Sequence, residues 1–76
     1  MKTMMRITCD VVILDYTTTE IRFVKIPYEL HHADSSDIEE YLRENCDFRS
    51  DTCYWMGADS LGQFSVSVPK GTLVQL

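Results

Sequence analysis

One segment constrains this chain more than any other: Arg6 to Tyr16, RITCDVVILDY, reads as a strand that is apolar on both of its sides. Its β-branched residues favour a pleated backbone, and strict alternation places Ile7, Cys9, Val11 and Ile13 on one side and Thr8, Asp10, Val12, Leu14 and Tyr16 on the other. A strand of this kind needs cover on two faces. Within 76 residues there is room for one domain, spanning 1–76, with a small core, and two packed layers are the economical way to bury it.

The remaining elements follow from periodicity and punctuation. Thr17 to Glu20 form a polar connection into a second strand, Ile21 to Ile26, so the first two strands form a hairpin, and Pro27 ends the second. PYELHHAD, from Pro27 to Asp34, reads as a loop leaving the sheet. Ser36 and Glu39 have the spacing of a capping box and predict a helix start at Ser36. Ile38, Tyr41, Leu42 and Cys46 then share one helical stripe, opposite Asp37, Glu39, Glu40, Arg43 and Glu44. TCYWMGAD and QFSVSVP predict a second hairpin turning at Asp59 to Gly62, with Phe64, Val66 and Val68 on its inner side. Pro69 to Gly71 read as a turn, and Thr72 to Leu76 as an optional fifth strand. The expected fold is a small two-layer α+β domain: an antiparallel sheet of four or five strands with one helix, in the order ββαββ.

The net charge of −5 is concentrated. Between Asp34 and Asp51 stand seven acids against two bases, which accounts for all of it; elsewhere five acids balance five bases. A chain so charged is a poor direct ligand for nucleic acid, which attracts a positive footprint. The longest apolar run at the N-terminus is VVIL, too short for a signal core, and no stretch approaches the roughly 18 apolar residues of a membrane span. Three cysteines, Cys9, Cys46 and Cys53, in no CxxC arrangement fit reduced thiols. The expected setting is therefore cytoplasmic, with no membrane partner.

Candidate chemical sites are weak. His31, His32, Asp34 and the cysteines match no zinc spacing, and adjacent histidines on an extended segment point apart, so solvated loop histidines are the better reading. Cys46 at a helix C-terminus is poorly placed for a thiolate, and Cys9 and Cys53 lie inside strand patterns. Glu39, Glu40 and Glu44 on an exposed helix face lack the burial that would separate their pKa values for acid/base work. There is no P-loop, GxGxxG or GxSxG. The expectation is no enzyme, no cofactor and no metal.

What the sequence does supply is surplus apolar surface. Tyr54, Trp55 and Met56 are consecutive, so Trp55 faces opposite to its neighbours, and one helix shelters only one face of a sheet. The leading expectation is a non-enzymatic interaction module that self-associates or binds a protein partner through its second sheet face. Its candidate contacts are Val12, Leu14, Tyr16, Tyr54, Trp55 and Met56, and only one of the Tyr54 and Trp55 sides belongs to that face. The alternative is an acidic inhibitor or adaptor, of the phage or mobile-element type, presenting Asp37, Glu40, Glu44 and Asp47 to a basic, nucleic-acid-binding partner. A third reading is a small metal or redox protein using His31, His32 and the cysteines.

Overall fold

The computed structural model describes residues 3–68. Five strands and one helix follow one another as β1 (Thr3–Thr8), β2 (Val11–Asp15), β3 (Glu20–Val24), α1 (Ser35–Asn45), β4 (Cys53–Gly57) and β5 (Gln63–Val68), with a single 3₁₀ turn at Tyr28–Leu30 before α1. The protein is a small α+β fold whose strands form two antiparallel sheets, β3-β2-β4 and β1-β5, and not one sheet of four. The expected turn and fifth strand at 69–76 lie outside the described residues.

Two expectations fail at one place. The segment 6–16 is not a single strand: it breaks at Cys9 and Asp10, and its halves enter different sheets. Nor do β4 and β5 form a hairpin, because β4 pairs with β2 and β5 with β1. The chain instead forms a long antiparallel ribbon, interrupted where residues 9–10 oppose residues 58–62. At the interruption Cys9 N donates to Gly62 O (3.1 Å), Ala58 N to Asp10 O (2.9 Å) and Asp10 N to Val24 O (2.9 Å). The excess residues are held in a tight loop by the Asp59 carboxylate, which accepts from the N–H groups of Leu61 and Gln63 at 2.9 and 3.0 Å, while Gly62 supplies a positive φ of 69°.

The break also exchanges faces. Cys9 clusters with Val12 and Phe64, whereas Val11 and Ile13 lie under the helix, so Ile7, Cys9, Val11 and Ile13 do not share one side as strict alternation requires.

Strands β2 and β3 do form the expected hairpin, in register from Val11↔Val24 to Asp15↔Glu20. The Asp15 side chain shapes its turn by accepting from Thr17 N (3.0 Å) and Thr18 N (3.2 Å), and Thr19 takes a φ of 55°. Both β3 and β4 run antiparallel to β2, hence parallel to each other, and α1 lies in the crossover between them.

The helix begins earlier than its sequence spacing predicts. Asp34, extended at φ −66° and ψ 157°, is the N-cap residue, its carbonyl accepting from Asp37 N (3.0 Å) and Ile38 N (3.1 Å). Ser36 is thus already helical and makes no capping box. Glu39, expected to reach back to it, turns outward to Arg43 (3.2 Å) and accepts from Trp55 Nε1 (3.3 Å). At the other end Asp47 has a φ of 54°, the left-handed geometry of a helix stop, and Phe48 swings back so that its N–H donates to Leu42 O at 3.3 Å.

The main core lies between α1 and β3-β2-β4: Val11, Ile13, Ile26, Leu42, Phe48 and Cys53 are buried, with Val24, Leu30, Ile38, Tyr41, Cys46 and Trp55 packed around them. The expected helical stripe therefore faces the sheet. Arg22 straps this layer at its edge. It donates two hydrogen bonds to Asp15 Oδ2 (2.9 and 3.1 Å) and reaches the carbonyls of Cys46 (3.5 Å) and Asp47 (3.1 Å) at the helix end.

Candidate functional site

The register of the three-stranded sheet defines the face that α1 leaves uncovered. Val12 lies opposite Phe23 and Met56, and Leu14 opposite Ile21 and Tyr54, so all six positions that β2, β3 and β4 present on this side are apolar. Five of them are widely accessible: Leu14 is 37% exposed, Phe23 51%, Met56 57%, Ile21 58% and Tyr54 66%. The sixth, Val12, is buried beneath Phe64 and Cys9.

That packing shows how the β1-β5 ribbon joins the face. Phe64 pairs with Ile7, and two residues further along Val66 pairs with Met5, so these four share the side that meets Val12. Met5 and Val66 are exposed there. The ribbon's other side carries Arg6, Thr8, Gln63, Ser65 and Ser67, along with the exposed Met4. The apolar surface thus continues from the three-stranded sheet, over the Val12–Phe64 step, onto the ribbon.

The structure separates the residues singled out by the sequence. Leu14, Tyr54 and Met56 stand together on the open face. Val12 lies at its foot, covered by the chain itself. Tyr16 is exposed just beyond β2, its N–H donating to Thr52 O at 2.9 Å. Trp55 projects to the opposite side, half-buried against the core with its indole N–H on Glu39. Ile21 and Phe23 belong to the open face but were absent from the sequence reading. The signal available for them was the alternation Ile21, Phe23, Lys25 against Arg22, Val24, Ile26; it misleads because the charged Arg22 lies on the covered side.

The acidic residues occupy the far layer. Asp37, Glu40 and Glu44 are exposed along α1, which packs on the covered side of the sheet, and Asp47 is exposed just beyond the helix end. The side chain of Asp15 is held below the usual carboxylate range, chiefly by the Thr18 N–H, with burial opposing, then by the Thr17 N–H and the Arg22 charge.

A separate open cleft of about 1040 Å³ lies where the strand break, the 58–62 loop and the start of α1 meet. Asp10, Lys25, His31, His32 and Asp59 line it. Asp10 Oδ2 accepts from Ile26 N (2.9 Å) and lies 3.6 Å from His31 Nε2, while the His31 ring is tilted against Tyr28 with centroids 5.5 Å apart. Cys9 also borders the cleft, but burial raises its thiol pKa, as it does that of Cys46. All three cysteines are free. Among the described residues no group of three or more His, Cys, Asp or Glu side chains is arranged to hold a metal, and no helix is long and apolar enough to cross a membrane.

The chain matches no protein-family model, no curated protein and no solved structure.

Proposed function

We propose that this protein is a non-enzymatic interaction module whose binding surface is the open face of β3-β2-β4. The observation that carries the reading is the unbroken apolar character of that face, six positions of six, with five large side chains left accessible. Scattered exposed apolar residues are ordinary, whereas a contiguous patch on one side of a sheet marks a contact surface. Oxidation of Met56 by dilute peroxide, in a sample that sedimentation shows to be monomeric, tests this. Met56 should react at the rate of an exposed methionine; protection in a monomer would mean that the chain covers its own face, and the reading would fall.

A second reading rests on a separate observation, the outward acidic side of α1. Carboxylates at Asp37, Glu40 and Glu44 are three and four residues apart, about 5–6 Å between neighbours, and imitate a line of phosphates for a basic protein. Capture of a nucleic-acid-binding protein that weakens with salt, and is lost with Glu40→Lys and Glu44→Lys, would support it; insensitivity to both would not.

A further inference from the structure

We infer that the occupant of the open face is a second copy of this chain, the two sheets stacking face to face about a two-fold axis with the helices outward. The inference rests on the reading of that face as a contact surface and adds the identity of its partner.

Area is the first argument. With five side chains roughly half exposed, and large side chains burying about 150–250 Å² each, the sheet face alone offers on the order of 500 Å². Tyr16 and the ribbon's Met5 and Val66 extend it towards the ~800 Å² per partner of a standard stable interface.

Charge is the second. No charged side chain occupies the six face positions, so any two-fold superposition sets apolar groups on apolar groups. The whole imbalance of −5 lies between Asp34 and Asp51, in α1 on the covered side of the sheet and in the connection from it to β4. Stacked sheets lie about 10 Å apart and a helix layer is about as thick, so the two acidic helices of such a dimer stand about 30 Å from each other, beyond a Debye length of ~8 Å at physiological salt. A dimer formed through the helices would instead confront the two acidic segments directly. The face-to-face arrangement is the one that buries the apolar surface while keeping the charge in water.

The test combines sedimentation equilibrium, over about 1–100 μM, a range that brackets weak to moderate self-association, with Met56 oxidation on the same samples. The wild-type chain should pass from monomer to dimer, with Met56 protected in step. The double variant Phe23→Ser, Tyr54→Ser should weaken association at least about 100-fold, as removal of two central aromatic anchors does, with its circular dichroism unchanged. Glu40→Lys should leave association within about twofold, since an outward, solvated charge adds little. A monomer at every concentration with freely reactive Met56 would overturn the second copy as partner and leave the contact-surface reading intact. A monomer with Met56 protected would overturn both. A dimer that ignores the double variant would place the interface elsewhere and overturn the inference.

Discussion

Under α1, Val11 and Ile13 of β2 are 1% and 0% exposed; on the opposite face of the same sheet Leu14 of β2 and Tyr54 and Met56 of β4 are 37%, 66% and 57% exposed. Both faces carry large apolar side chains, and the covered one also holds the charged Asp15 and Arg22, so the open face is no less hydrophobic than the buried one. What separates them, among the described residues, is the amphipathic α1, which shelters one face of β3-β2-β4. In a chain this short, burial is therefore set by how many layers the sequence can build and not by how hydrophobic each position is.

That contrast is tested most severely by truncation on either face. Leu42→Ala, beneath the sheet, should cost about 2–5 kcal/mol, enough to unfold much of a domain this size, whereas Phe23→Ala should change monomer stability by no more than about 0.5 kcal/mol. Urea unfolding of both in dilute solution measures the difference, and equal losses would erase the distinction between the faces.

Next comes the edge of the covered layer. Arg22→Gln removes the charged partner of a carboxylate that keeps its Thr17 and Thr18 N–H donors, together with contacts to two helix-end carbonyls, and should cost about 1–3 kcal/mol. The same site sets acid sensitivity. Because the Asp15 pKa is lowered in the folded chain, its contribution is fully present above the ordinary carboxylate pKa and is lost as pH falls through the depressed folded value. Thermal unfolding followed from neutral to strongly acidic pH should show that loss in the wild-type chain and a smaller one in Asp15→Asn.

The smallest effect is expected on the outer surface of α1. Arg43→Ala breaks an exposed pair with Glu39 and should cost only a few tenths of a kcal/mol. Glu39→Ala adds the loss of the Trp55 acceptor, so its indole fluorescence should shift while Arg43→Ala leaves it in place; identical spectra would argue against that hydrogen bond.

Much of the covered side was legible in the sequence. The helix and its inward stripe of Ile38, Tyr41 and Leu42 follow from spacing, because they set apolar residues against polar ones with a clear period, and the β2-β3 hairpin follows from the polar connection Thr17 to Glu20 between two strand-like runs. The strand break at Cys9 and Asp10 was not legible: with apolar residues on both sides of RITCDVVILDY, a change of face leaves no mark in the pattern. The same ambiguity in CYWMG hid the pairing of β4 with β2, and a turn-forming DSLG between two strand-like segments imitated a hairpin. The capping box misled because Glu39 has competing partners: Arg43, four residues on and legible as an i,i+4 pair, and Trp55, which only the fold brings near. For the open face, Tyr54 and Met56 could be separated from Trp55 by alternation, but choosing which side the helix takes required the third strand and the unexpected inward Arg22.

The strap between Asp15 and Arg22 has a consequence for how the central strand finds its alignment. Sliding β2 by one residue would trade Val11 and Ile13 for Val12 and Leu14, an exchange of grease for grease that solvent barely penalises. It would also drive the Asp15 carboxylate outward, strip two turn amides of their acceptor and strand a guanidinium against the sheet. In a strand whose oily residues cast no vote, one carboxylate acts as the tie-breaker between the native alignment and its slipped twin.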